Sequence, residues 1–143
     1  MHIASQTSLT TIITALTSSA RQNKSAVDQT EKIIHRMETN EESDMRPDVV
    51  TYTSLIKCWI QSGRSGAGDR AEEIVNFLHQ RYKEGYTECK PDAVLYNVAI
   101  DALAKSESPN SGERAEALLN RMLDHYYAGD ADLTPNTLSK SCW

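Results

Sequence analysis

Three features of the sequence predict an all-α fold assembled from helix-turn-helix repeats. Pro47, Pro91 and Pro135 fall 44 residues apart, each followed by Asp or Asn, and a fixed period of this size marks stacked supersecondary units. Within each period two apolar-periodic segments recur in matching register. The stretches between them are rich in Gly, Ser and polar residues, as loops are. The reading is one array spanning residues 1–143, with repeats at 5–48, 49–92 and 93–136 and a fourth copy that starts at 137–143 and stops.

The first segment of each copy aligns as Thr10-Thr11-Ile12-Ile13-Thr14-Ala15-Leu16, Thr53-Ser54-Leu55-Ile56-Lys57-Cys58-Trp59 and Asn97-Val98-Ala99-Ile100-Asp101-Ala102-Leu103. Apolar or small residues share positions at three- and four-residue spacing, which is one buried face of a helix. These are the A helices. The second segment aligns as Thr30 to Met37, Ala71 to Leu78 and Ala115 to Met122. A small residue opens each line and an apolar pair follows, so these are the B helices, able to approach a neighbour closely at their starts. Ser25 with Asp28 and Asn110 with Glu113 have the three-residue spacing of capping pairs, and Gly66 with Asp69 is a weaker version. The A-to-B breaks are Ser62 to Gly66 and Ser106 to Pro109. After each B helix comes a polar connection, Thr39 to Arg46, Lys83 to Lys90 and Tyr127 to Thr134. It ends in a proline that discourages further helix, followed by a residue suited to cap the next one: Asp48, Asp92 and Asn136.

A solenoid buries its core between neighbouring repeats, so 143 residues suffice without a large central core. With 15 Lys+Arg against 20 Asp+Glu the net charge is −5, the wrong sign for gripping nucleic acid by bulk electrostatics. Any nucleic-acid contact must therefore be local. Cys58, Cys89 and Cys142 are odd in number and form no C-x-x-C pair, which indicates neither a disulfide framework nor a zinc site. His2, His35, His79 and His125 show no helical ligand spacing, so no metal or other cofactor is expected. Gly63, Gly66 and Gly68 precede a helix but lack the lysine of a phosphate-binding loop. No nucleophile elbow is recognisable, so no enzyme activity is expected, and no apolar run reaches membrane-span length. The first 27 residues lack Asp and Glu, are rich in Ser and Thr, and carry Arg21 and Lys24, a composition shared by organellar transit peptides. The same residues also fit the first repeat.

The opening Pro47-Asp48-Val49-Val50-Thr51-Tyr52-Thr53-Ser54-Leu55-Ile56, followed by a B helix with an Ala-Glu start, resembles the pentatricopeptide repeat family. The likeness is strong in the second and third copies and weaker in the first. Tetratricopeptide repeats are also helical hairpins but lack this opening. The family unit is about 35 residues, and the longer period here places its extra residues in loops, where insertion is cheapest. The resemblance implies a right-handed α-solenoid that binds single-stranded RNA along its helix-A surface, one base per repeat. It implies base reading by the fifth residue of helix A with the last residue of the repeat: Thr10 with Asp48, Thr53 with Asp92, and Asn97 with Asn136. Val50 and Val94 fall on the apolar position that packs against base faces. Lys105 falls on a position that approaches phosphate, where the other repeats have Gln61 and Ser18. By the family's preferences, Thr with Asp resembles a guanine reader and Asn with Asn a pyrimidine reader, giving G-G-pyrimidine. Mitochondrial or plastid RNA metabolism is the family's usual setting.

Plainer roles compete at every one of these positions. Asp48, Asp92 and Asn136 suit helix caps, a role compatible with base contact. Thr53 and Asn97 suit a solvated face, Val50 and Val94 a core, and Tyr52 and Tyr96 inter-helix packing rather than base stacking. A helical-repeat scaffold for protein–protein interaction is the rival function, and the net negative charge favours it.

Overall fold

The computed structural model describes residues 6–39, 46–106 and 108–128. Its helices are α1 (Gln6–Ser19), α2 (Ala26–Thr39), α3 (Val49–Ser62), α4 (Ala67–Lys83), α5 (Ala93–Ala104) and α6 (Ser111–Tyr127). No strand occurs among the described residues. Helices α1, α3 and α5 fall on the predicted A segments, and α2, α4 and α6 on the B segments. A 3-10 turn at Thr87–Cys89, not anticipated from the sequence, lies between α4 and α5. Among the described residues no helix is long and apolar enough to cross a membrane.

The A helices start where the sequence says they should. The carboxylate Oδ1 of Asp48 accepts from the Thr51 N–H at 3.0 Å and from the Thr51 hydroxyl at 3.0 Å, and Oδ1 of Asp92 accepts from the Leu95 N–H at 2.9 Å. Each satisfies one of the donors that a helix start leaves open. Asn136, the third predicted cap, lies outside the described residues. Helix α3 ends at Gly63, whose φ of 69° is the left-handed conformation that glycine adopts without a Cβ penalty.

The B helices begin differently from the expectation. Gly66 and Asn110 precede α4 and α6 with φ of 90° and 65°, and neither makes a side-chain cap. Glycine and asparagine are the residues that tolerate this left-handed turn most readily. Their types were therefore selected by backbone conformation instead of capping. At α2, the Ser25 hydroxyl donates to Asn23 Oδ1 at 2.6 Å, so Asn23 organises that turn.

The chain divides into two compact units, one ending at Arg64 and the other starting at Ser65. The boundary cuts the predicted second repeat between α3 and α4. In the first unit α3 packs against both α1 and α2. Ile13, Val27, Ile34, Leu55, Ile56 and Cys58 are buried there, each large aliphatic residue contributing roughly 1.5–3 kcal/mol on burial. The polar groups that enter this core are satisfied: the Thr30 hydroxyl donates to Ala26 O at 2.8 Å, and that of Thr17 to Ile13 O at 2.8 Å. The Lys24 ammonium donates to Ser62 O at 2.6 Å at the end of α3, where helix carbonyls lack intrahelical partners.

In the second unit α5 packs against α4 and α6. Ala71, Ile74, Val75, Leu78, Leu95, Tyr96, Leu103, Leu118 and Met122 form its core. A Cβ on buried Gly68 would meet Leu103 Cδ2 at 2.9 Å and Leu103 Cα at 3.3 Å, so α4 and α5 approach so closely here that any side chain would have to displace Leu103. Helices α4 and α6 share polar contacts. Arg114 bridges Asp69 at 2.7 Å and Glu72 at 3.1 Å, Arg121 reaches Asn76 at 2.9 Å, and the His79 and His125 rings stack with centroids 5.1 Å apart.

Candidate nucleic-acid interface

Val50 and Val94 stand at the second position of α3 and α5, two residues past the capping aspartates, and are 55% and 54% exposed. The core alternative for these residues is thereby set aside. Two β-branched apolar side chains held in solvent at the same register stand out in helices whose other large apolar residues are buried or half-buried. Beside each sits a half-buried carboxylate, Asp48 or Asp92, that already accepts an amide hydrogen bond. Because these carboxylates occupy the helix starts, the positive ends of α3 and α5 are compensated and offer no phosphate site.

The remaining predicted residues fall in varied surroundings. Thr53 is only 5% exposed, and its hydroxyl donates to Val49 O at 2.7 Å. Its solvated-face alternative fails; in the base-reading role its oxygen would serve as an acceptor unless the side chain turned. Asn97, at the same position of α5, is half-buried. Thr10 is half-buried on α1. Lys105 caps the end of α5 and pairs with Asp101 at 3.0 Å, one turn earlier, so its charge is partly offset. Asn136 lies outside the described residues.

No protein-family model, curated protein or solved structure matches this chain.

Tyr52 and Tyr96, expected as inter-helix packing, are buried at the fourth position of α3 and α5. Their hydroxyls reach the B helix before them: Tyr52 donates to Glu38 Oε2 on α2, and Tyr96 hydrogen-bonds the His79 ring on α4. Glu38 and His79 each follow the buried Met37 or Leu78, so the two joints are equivalent. The alignment carried this signal, but only the structure shows that the position after the Met or Leu meets the next tyrosine.

The sequence reading missed a cation–aromatic cluster around the end of α4. The Arg81 guanidinium lies 4.0 Å from the Tyr86 ring centroid and 5.7 Å from that of Phe77. Arg81 also pairs with Glu84 at 3.5 Å. Among the described residues no group of three or more His, Cys, Asp or Glu is placed to hold a metal ion. Burial pushes the Cys58 thiol above its ordinary pKa, although its hydrogen bonds with Thr30 and Thr17 act the other way. A protonated thiol is a poor nucleophile.

Proposed function

We propose that this chain is a pentatricopeptide-type module, a right-handed α-solenoid that binds single-stranded RNA without catalysis and contacts one base per repeat from its A helices. The observation that carries the reading is the matched exposure of Val50 and Val94 beside Asp48 and Asp92. An apolar side chain gives a base a surface to lie on, and a carboxylate accepts the two N–H groups that guanine presents on its Watson–Crick edge. Asn97 at the third reading position supplies an amide suited to a pyrimidine edge. The family resemblance supports an organellar setting, mitochondrial or plastid.

Net charge and the pairing of Lys105 limit phosphate contact, so binding is weak and shallow in its salt dependence. Stacking contributes roughly 1–3 kcal/mol per base before ordering costs. The test is fluorescence anisotropy at low salt with labelled RNA centred on GGU, the same RNA with U changed to A, and a DNA counterpart. The expected results are preference for the RNA, discrimination of about 1 kcal/mol at the third base that disappears in Asn97→Ala, and loss of binding in the Val50→Glu/Val94→Glu double variant. Absence of binding to any strand by protein of unchanged helicity would refute the RNA reading. The protein-scaffold reading is favoured by a different feature, an open apolar groove between α5 and α6.

A further inference from the structure

The groove between α5 and α6 has a volume of about 480 Å³ and is lined by Ile100 and Ala104 from α5 and by Ala115, Glu116, Leu119 and Leu123 from α6. Its meaning comes from the equivalent groove of the first unit, between α1 and α2, which α3 fills. There the contacts are explicit. The Thr17 hydroxyl reaches Ser54 O at 3.3 Å, Thr30 lies 3.7 Å from Cys58 Sγ, the Trp59 indole donates to Glu31 at 3.1 Å, and Tyr52 donates to Glu38. In the repeat alignment Thr17, Thr30, Glu31 and Glu38 become Ala104, Ala115, Glu116 and Leu123. By this correspondence the groove, open among the described residues, is the place of a following A helix, and α3 gives the register such a helix would take.

The same chain carries a matching face that is exposed among the described residues. Helix α1 is an A helix; Tyr52 and Cys58, by which α3 sits in its groove, and the buried Leu55 between them correspond to Leu9, Ala15 and Ile12. Leu55 and Cys58 are fully buried, whereas Ile12 is 47% exposed, Ala15 is exposed and Leu9 is half-buried. We propose that the α5/α6 groove receives α1 of a second copy of this chain in a head-to-tail contact.

The pairings this register creates agree at three places, while the fourth, Trp59 with Glu31, becomes Leu16 beside the Glu116 carboxylate. Leu9 meets Leu123, so where both internal joints match a tyrosine hydroxyl to a polar acceptor, this one matches two leucines. Ala15 meets Ala115, as small residues Ala102 and Ala71 occupy the corresponding buried positions in the second unit. Leu16 meets Gly112, repeating the close approach of Leu103 to Gly68. A Cβ on Gly112 would have nothing within 4 Å, leaving room for that leucine. Helix α1 has no charged residue, so it adds no charge to a groove whose lining is apolar apart from Glu116 and Asn120.

A contact that joins two different surfaces is heterologous and, unless it closes, extends beyond two copies. One helix in a groove is a small interface, so association falls at about 10–300 µM. The experiment is sedimentation velocity on the full 143-residue chain across that range, with far-UV circular dichroism as the control for folding. The wild type is expected to sediment progressively faster with concentration. Ile12→Glu on α1, and separately Leu123→Glu on α6, each weaken association at least tenfold. Gly112→Ala, which leaves the fold intact, does the same. An equimolar mixture of Ile12→Glu and Leu123→Glu pairs one sound groove with one sound α1 and yields 1:1 dimers and nothing larger. A wild type monomeric throughout, association indifferent to these variants, or a mixture that stays monomeric overturns the proposal. So does a monomer in which Leu123→Glu shifts the Trp143 emission of a Trp59→Phe chain, because the groove then belongs to the chain's own C-terminal residues. RNA binding by the monomer is unaffected by any of these outcomes.

Discussion

The grooves α1/α2 and α5/α6 are built from aligned residues, yet among the described residues one is filled and the other open, and their difference shows what a neighbouring helix contributes. Ile13, Thr30 and Ile34 are buried beneath α3, while the matching Ile100 and Ala115 remain half-buried and Leu119 is the least covered of the buried leucines. The same residue types at the same spacing thus become core or surface according to what lies on top. In a repeat protein stability is held at interfaces between elements as much as within them.

The comparison is tested most severely at Leu55, fully buried in α3. Leu55→Ala should cost about 2–5 kcal/mol in urea unfolding, the usual range for a leucine removed from a closed core, and Leu123→Ala in the open groove should cost less than half as much. Equal losses would break the distinction. The glycines sharpen it. Gly68→Ala forces a Cβ against Leu103 and should cost about 1–3 kcal/mol. Gly112→Ala, in the same helical position with open space, should be neutral or stabilise by up to about 1 kcal/mol. Differential scanning calorimetry on dilute protein separates the two.

The smallest expected effect concerns Cys58, on the helix that fills the α1/α2 groove. Its thiol pKa is raised in the folded chain, so its contribution is fully present below its ordinary value of 9.0 and declines as pH rises from there toward the elevated folded value. The stability advantage of wild type over Cys58→Ala should therefore be constant up to about pH 8 and shrink at higher pH. An advantage that grows with pH would contradict burial as the dominant cause.

The periodic elements were legible because their signals are local. Asp48 and Asp92 announced two helix starts, the aligned apolar positions announced the A and B faces, and Tyr52 and Tyr96 were placed correctly between helices. What escaped depends on contacts distant in sequence or on backbone conformation. Asn110 and Gly66 were selected for a left-handed turn that reads as a cap on residue type. Thr53 is polar, yet its hydroxyl is consumed by Val49 O and the residue is buried. Of the candidate interface, the positions of Val50 and Val94 were legible, but their exposure was not, since the same periodicity serves a buried valine equally well.

The two tyrosine joints bear on how a chain of look-alike helices keeps its order. An internally repetitive polypeptide risks docking the wrong copy during folding, since each A helix approximately fits each groove. Tyr52 closes on a carboxylate, Tyr96 on an imidazole already stacked against His125, and Leu9 has no hydroxyl to offer either. Each junction therefore has its own chemical address, and exchanging two A helices would strand a polar group or bury a mismatched one at a cost of about 1–3 kcal/mol. Shuffled or duplicated repeats of this chain would need their tyrosine and its partner to travel together.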